Sequence, residues 1–264
     1  MVRLTTVMSA GAVIAGSVWL SGCHTSSPSH EQEEPLALAT LAVEQQFVAP
    51  GCEGERCSTV RISALEFPQD EALTQQLQER LLTLGMGITE EQAEPAASWE
   101  AYAQHFFELA EEGNRLTPPE MTSEAMLEAT VHAHHDDLLV LELNSYVYHA
   151  GQAHGLPMTA FMVIDERRRA VVEAEDMLLD GQEAAFDTLL TEAHQRWASE
   201  MGQDEQFLAN WPLSPSRNIA PLEEAWEVKY NVYDIAPYAV GQPTLTIPVE
   251  ALDGVAKPRF IGAE

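Results

Sequence analysis

Two neighbouring segments decide the fold: Met126-Leu-Glu-Ala-Thr-Val-His-Ala-His-His135 and Leu138-Leu-Val-Leu-Glu-Leu-Asn-Ser-Tyr-Val-Tyr-His149. In the first segment an apolar side chain recurs at every second position, which is the spacing of a strand with one buried face. The second segment has a matching pattern, and only Asp136-Asp137 separates the two. We therefore expect two antiparallel strands joined at this acidic pair.

The register of this hairpin follows from its pattern. Pairing His135 with Leu139 places the apolar side chains of both strands on one face and the polar side chains on the other. The same register places Glu142 opposite His132. A slip by one residue would mix the two faces, so we predict a half-exposed sheet in this register.

Outward from the hairpin, the remaining segments alternate between strand and helix patterns. Strands are predicted over 58–67, 158–165, 224–230 and 244–249, and helices over 70–84, from 98 to about 112, and around 186–197. This order predicts an α+β fold with an antiparallel sheet and helices packed on one side. We divide it into two small subdomains, 51–118 and 119–264.

The first residues indicate export. Arg3 precedes an uncharged apolar run over 4–20, which is typical of a signal peptide and too short for a spanning helix. The run ends in Leu20-Ser-Gly-Cys23, which resembles the lipobox of bacterial lipoproteins. We therefore predict a signal peptide over 1–22, lipidation of Cys23, with palmitate among the acyl chains, and a disordered tether over 23–50. The alternative is an ordinary signal peptide followed by a chance cysteine.

The residue after the cysteine bears on the destination. His24 occupies the position at which an aspartate would favour retention of a lipoprotein in the inner membrane. We expect a chain that is exported and lipid-anchored to the cell envelope, in the outer membrane facing the periplasm where the cell has one.

The charge is strongly negative. Thirteen basic residues oppose 42 acidic ones, which gives a net charge of −29. Such a chain is repelled by phosphates, so nucleic acid is excluded as a partner. Two interpretations stay open: an acidic surface adapted to salt, and a long-range field that attracts a basic partner.

Two cysteines stay available after lipidation. Cys52 and Cys57 lie close together in an exported chain, where a local disulfide is the natural pairing. A metal site with two thiolates is the alternative, although no further cysteine completes a thiolate set.

The C-terminal half carries a longer resemblance. The segment Asn231-Val-Tyr-Asp-Ile-Ala-Pro-Tyr-Ala-Val-Gly241, followed by Thr246-Ile-Pro248, is similar to a motif of the extracytoplasmic domain of the anti-sigma-V factor family. Gly151-Gln-Ala-His-Gly155 resembles the Gly-Gly-Ala-His-Gly turn of that family. The segments Val163-Ile-Asp165 and Glu175-Asp-Met-Leu-Leu179 resemble the strand and acidic helix start that follow it. The resemblance covers about residues 57–252.

The resemblance implies a binding function. The domain of that family captures lysozyme, a basic protein, in a cleft, and it also occurs beside peptidoglycan deacetylase modules. This chain lacks the sigma-binding part and the spanning helix, so an anti-sigma role is not carried over. Gln152 also replaces the second glycine of the turn. The expected ligand-binding residues are Tyr148, Gly151, His154, Gly155, Tyr233 and Tyr238.

Catalytic motifs are absent from the sequence. It has no His-Glu-x-x-His, Gly-x-Ser-x-Gly, P-loop or dinucleotide fingerprint, and we assign no catalytic residue, metal or cofactor. We expect a non-enzymatic envelope lipoprotein that binds lysozyme, another basic wall enzyme or peptidoglycan. One alternative is a metal-dependent hydrolase of the wall that uses His132, His134 or His154, since His132 and His134 share a strand face. Another is a structural envelope protein.

Overall fold

A computed structural model describes residues 38–53, 56–87, 96–114 and 121–262. The predicted signal peptide, Cys23 and the first part of the tether lie outside this range. These described residues form one compact unit. In the described residues no helix is both long enough and apolar enough to cross a membrane.

A six-stranded sheet forms the centre of the fold, with its strands in chain order. The strands are β1 (Leu41–Val48), β2 (Thr59–Glu66), β3 (Glu124–His135), β4 (Leu138–Tyr148), β5 (Leu156–Asp165) and β6 (Ala170–Val172). All neighbours pair antiparallel except β2 and β3, which are parallel. A parallel pair needs a long crossover, and helices α1 (Glu71–Gly85) and α2 (Trp99–Asn114) lie in that crossover.

The two helices cover one face of this sheet. Asp70 caps α1 by accepting a hydrogen bond from the backbone N–H of Leu73 at 3.1 Å, as the predicted helix start requires. Leu141 and Leu143 of β4 are fully buried in the same apolar cluster as α1 and α2. Each such leucine contributes roughly 1.5–3 kcal/mol through removal from water.

A second layer covers the other face. It contains a three-stranded antiparallel sheet of β7 (Ile219–Pro221), β8 (Ala225–Lys229) and β9 (Thr244–Pro248). The helices of this half are α3 (Ala174–Met177), α4 (Glu183–Glu200) and α5 (Glu205–Asn210). Val140 of β4, Phe186 of α4 and Trp226 of β8 share its buried cluster. The predicted one-sided packing therefore holds for α1 and α2, whereas α4 belongs to the opposite face.

The α+β class is confirmed, and two boundaries need correction. The predicted tether over 23–50 was too long, because Leu41–Val48 forms the edge strand β1. The predicted boundary at 118/119 divides one sheet in two, because Thr59–Ser63 of β2 pairs with Glu124–Glu128 of β3. The six-stranded sheet therefore joins both predicted subdomains.

The hairpin register also differs from the prediction. His135 pairs with Leu138, because the turn contains only Asp136 and Asp137. A β-bulge between Val131 and Ala133 shifts the ladder by one further residue, so Leu127 pairs with Ser145. A bulge inserts an extra residue on one strand, which the alternation of side chains does not reveal. Before the bulge each side chain keeps its predicted face, because the difference there is an even number of residues. The predicted half-exposed sheet is wrong, because the second layer buries Val140 and Val163 on the other face.

The first described residues are hydrogen-bonded at the end of the sheet that carries the turn between β3 and β4. The backbone N–H of Leu38 donates to Oε1 of Glu166 at 2.8 Å. Glu166 is buried, and its other carboxylate oxygen lies 2.7 Å from Nε2 of His134. This end of the sheet carries the turn between β3 and β4 and the turn that follows β5.

Candidate binding site

Three rings meet at the opposite end of the sheets. His154 lies in the turn between β4 and β5, and Tyr233 and Tyr238 lie in the segment between β8 and β9. The rings of His154 and Tyr238 are stacked, with centroids 3.7 Å apart and 20° between their planes. Tyr233 completes the cluster, with centroid distances of 6.3 Å to His154 and 5.8 Å to Tyr238. We call these residues the three-ring cluster.

Hydrogen bonds fix the orientation of the rings. The hydroxyl of Tyr238 donates to the carbonyl oxygen of Gly155 at 2.9 Å. Nδ1 of His154 lies 3.2 Å from the same oxygen, and Nε2 lies 3.1 Å from the hydroxyl of Tyr233. A carbonyl oxygen only accepts, so this geometry assigns the proton of a neutral His154 to Nδ1. Nε2 then accepts the hydroxyl proton of Tyr233.

Tyr233 has an uncommon backbone conformation. Its φ is +72° and the residue is 44% exposed. A left-handed conformation is costly for an aromatic residue, and such residues concentrate at functional sites. The turn is held by Asp234, which accepts from the backbone N–H of Asn231 at 2.7 Å. Burial raises the pKa of Asp234, and that hydrogen bond opposes the effect.

Asn231 attaches this turn to the central sheet. Its side-chain oxygen accepts from the backbone N–H of Thr159 in β5 at 2.7 Å and from Gln242 at 2.9 Å. Val232, Ile235 and Ala236 are buried beneath the turn. The motif that prompted the resemblance thus has a structural role, because its polar start and apolar centre hold Tyr233 and Tyr238 beside His154.

Gly155 permits this close packing. A Cβ atom at this position would lie 2.2 Å from Cζ of Tyr146, so only glycine fits under the ring. Burial raises the pKa of Tyr146, with further contributions from the negative charge of Glu124 and from Tyr238. Sequence reasoning missed Tyr146, because its contact with Gly155 depends on the pairing of β4 with β5.

The other two expected ligand-binding residues lie near the cluster without joining it. Tyr148 ends β4 and pairs with Glu124 of β3. Within the described part of the chain, Tyr148 has no hydrogen bond or ring contact with the three-ring cluster. Gly151 has a φ of +91°, so its role in the turn is to adopt a left-handed conformation that other residues rarely take.

An apolar cavity adjoins this turn. It has a volume of about 380 Å³ and lies between the end of α1, helix α2 and the end of β4. Phe106, Leu109 and Leu156 are among its lining residues, and His149 and Gln152 from the turn also contribute. The turn that carries His154 thus also borders a cavity of the size that small molecules occupy.

The three histidines of β3 have separate partners. His132 lies between two carboxylates, with Nδ1 3.1 Å from Glu142 and Nε2 3.0 Å from Glu227. His134 contacts Glu166, and Nε2 of His135 contacts the carbonyl oxygen of Pro221 at 2.9 Å. The predicted proximity of His132 and Glu142 is present, although Glu142 pairs with Thr130 in the ladder and His132 lies at the bulge.

Glu142 is the most connected of these carboxylates. Its burial disfavours ionisation, but the hydrogen bond from Asn144 and the positive charges of Lys229 and His132 prevail, so its pKa is lowered. In the described ranges no group of three or more His, Cys, Asp or Glu side chains has a geometry that could hold a metal ion.

The predicted disulfide is present. Cys52 and Cys57 are bonded, with their Cα atoms 5.8 Å apart. The bond closes the connection between β1 and β2.

The fold and the site together define a two-sheet α+β domain with an aromatic cluster at one end of the sheets. The chain belongs to the DUF3298 family. It is 33% identical to a DUF3298 family protein from Pseudomonas aeruginosa PAO1, whose crystal structure it matches with a TM-score of 0.72 over 85% of this chain and 96% of that one. The family model, "Protein of unknown function (DUF3298)", matches residues 175–250.

A second solved structure has the same fold. It is a member of the DUF3298 family from Bacteroides fragilis NCTC 9343, 20% identical, with a TM-score of 0.64 over 85% of this chain and 96% of that one. No curated protein matches the chain.

Proposed function

We propose that this chain is an envelope-anchored lipoprotein that captures a basic protein without catalysis, with lysozyme as the ligand to test first. The three-ring cluster is the contact surface. The observation that carries the proposal is the exposed Tyr233, held at a φ of +72° beside the stacked His154 and Tyr238. Tyrosines supply apolar area and a hydroxyl together, which suits protein contacts.

The charge of the chain supports a basic ligand. The net charge of −29 would speed association with a cationic protein through a long-range field, and salt would weaken that field. The resemblance to the lysozyme-binding domain supports the same ligand class. Two of its motif positions, Tyr233 and Tyr238, meet His154 from the second motif in the three-ring cluster.

The anchor is a separate part of the proposal. It rests on the sequence Leu20-Ser-Gly-Cys23 after an apolar run. Replacement of Cys23 by serine is expected to abolish labelling by radioactive palmitate and to move the protein out of the membrane fraction. Continued membrane recovery and labelling of the Cys23→Ser variant would contradict lipidation at this residue.

The binding experiment uses residues 24–264, which are the predicted mature chain without the lipidated Cys23, and lysozyme in a calorimeter at low and moderate salt. We expect binding that weakens with salt and inhibits lysozyme. His154→Ala and Tyr238→Ala should each weaken it by tenfold or more, as central interface aromatics do. Tyr148→Ala is the matched control and should have little effect. Absence of binding at both salt concentrations would refute lysozyme as the ligand.

A further inference from the structure

A groove runs between helix α2 and the edge of the six-stranded sheet. It has a volume of about 790 Å³, and residues of β1, the following turn and α2 line it. Phe47 of β1 and Phe107 and Ala103 of α2 provide apolar surface within it. Phe47 faces the helices, because it pairs with the buried Val60 of β2. The groove therefore has an apolar floor.

One wall of the groove is acidic. Glu100, Glu108 and Glu111 line it from α2, and all three are exposed. Their spacing places them along one side of the helix. Within the described ranges, no lysine, arginine or histidine lines the groove. The combination of an apolar floor and an acidic wall fits side chains that have an aliphatic stem and a cationic tip.

The groove also borders an open strand edge. β1 is the outermost strand, with eight residues, and in the described part of the chain no strand pairs with its outer side. An open edge offers unpaired N–H and C=O groups to an added strand. Strand addition at this edge would place alternate side chains of the added segment over the floor of the groove.

We propose that this groove binds an extended, arginine- or lysine-bearing segment of a partner protein, added as a seventh strand beside β1. The basic side chains lie over Phe47 and Phe107 and reach the carboxylates of Glu100, Glu108 and Glu111. Arginine fits best, because its guanidinium both stacks on aromatic rings and pairs with carboxylates. This docking site does not depend on the proposed function of the three-ring cluster.

The test uses an eight-residue peptide of alternating arginine and threonine, matched in length to β1 and labelled with a fluorophore. Its binding to residues 24–264 is followed by fluorescence anisotropy, and amide hydrogen exchange is measured over β1. We expect saturable binding with slowed exchange in β1. Replacing Glu100, Glu108 and Glu111 by glutamine should weaken binding by roughly tenfold, which is the summed effect of three exposed ion pairs.

Matched controls distinguish binding at the groove from attraction of the peptide by the net charge of the protein. Glu183, Glu192 and Glu200 are exposed on α4, and their replacement by glutamine removes the same charge. Equal weakening by both triple variants would overturn the proposal, as would unchanged exchange in β1. Equally tight binding of a peptide of alternating arginine and proline would exclude strand addition, because proline cannot complete the ladder. If the protein associates with itself through the β1 edge and the peptide does not bind, the groove holds a second copy of the chain. This outcome would also refute the proposal.

The two proposals fail separately. Tyr238→Ala removes a ring of the three-ring cluster and should leave peptide affinity unchanged within about twofold, because Tyr238 does not line the groove. A tenfold loss of peptide binding in this variant would place the peptide at the cluster and overturn the groove as its site.

Discussion

His154 and Tyr238 stack on each other although they come from different sheets. His154 lies between two strands of the six-stranded sheet, and Tyr238 lies between two strands of the smaller one, yet their ring centroids are 3.7 Å apart. The carbonyl oxygen of Gly155 is shared by both residues as a hydrogen-bond acceptor. The geometry of the cluster therefore depends on how the two sheets pack.

Tyr238 allows stacking and hydrogen bonding to be tested separately. Tyr238→Phe retains the stacked ring and loses the hydrogen bond to Gly155, so the free energy of unfolding should fall by about 1 kcal/mol. Lysozyme binding, as proposed, should change by no more than about twofold, in contrast to Tyr238→Ala. Urea unfolding and calorimetry measure the two effects. Equal loss of binding in both variants would show that the hydroxyl, and not the ring, makes the contact.

Gly155→Ala tests the close approach of Tyr146. The added Cβ would lie 2.2 Å from the ring, so we expect a loss of about 1–3 kcal/mol in unfolding free energy. Most of this loss should disappear when Tyr146→Val is also present, since the two positions are in contact. Gly113→Ala in α2 is the control, because its nearest atom is at 3.9 Å and a helical alanine is favourable by up to about 1 kcal/mol.

His194 predicts a loss of stability in mild acid. Burial lowers the pKa of His194 below its ordinary value of 6.5, so the unfolded chain binds the proton more readily than the folded chain. Its contribution is therefore fully present above about pH 6.5 and is lost as the pH falls. His194→Leu should reduce the decrease in melting temperature between about pH 7.5 and 5.5. An unchanged decrease would assign the acid sensitivity to other groups.

His132 and Glu227 link the two sheets, since His132 lies on β3 and Glu227 on β8. Their 3.0 Å contact is partly buried, with side-chain exposures of 25% and 30%. A double-mutant cycle with His132→Gln and Glu227→Gln should give a coupling of about 0.5–2 kcal/mol. The pair Arg61 and Glu124, at 3.5 Å and about half exposed, is the control and should couple by less than about 0.5 kcal/mol. Equal coupling energies in both pairs would show that the contact between the two sheets is no stronger than an exposed ion pair.

The Cys52–Cys57 disulfide closes a short loop. Loop-closure entropy for such a loop corresponds to about 2 kcal/mol, so reduction should lower the unfolding free energy by about that amount. Urea titrations with and without a reductant measure the change. The double variant Cys52→Ser with Cys57→Ser should have the lower stability and no response to the reductant.

Local patterns predicted the regular elements well. The hairpin, α1, α2, α4 and β9 follow from periodicity and capping residues, because each has one apolar face to bury. β1 carries Leu41, Val43 and Phe47 at alternate positions, but it follows a polar stretch and was therefore assigned to the tether. The parallel pairing of β2 with β3 has no local signal, so the subdomain boundary was misplaced.

The candidate site was only partly predictable. His154, Tyr233 and Tyr238 came from resemblance, and the structure brings these three together. Neither the left-handed conformation of Tyr233 nor the position of Tyr146 over Gly155 can be read from residue spacing, because both result from long-range packing. The acidic groove was equally hidden, since it requires the placement of α2 beside β1.

The hydrogen bond from Leu38 to Glu166 places the first described residues at one end of the six-stranded sheet. Glu166 lies just beyond β5, and His154 lies just before it, so the ten residues of β5 separate the two ends by roughly 33 Å. A chain that reaches Leu38 from a lipidated Cys23 would hold the domain by the Glu166 end. The three-ring cluster lies at the other end of β5, so the proposed anchor and the proposed contact surface would belong to opposite ends of the domain.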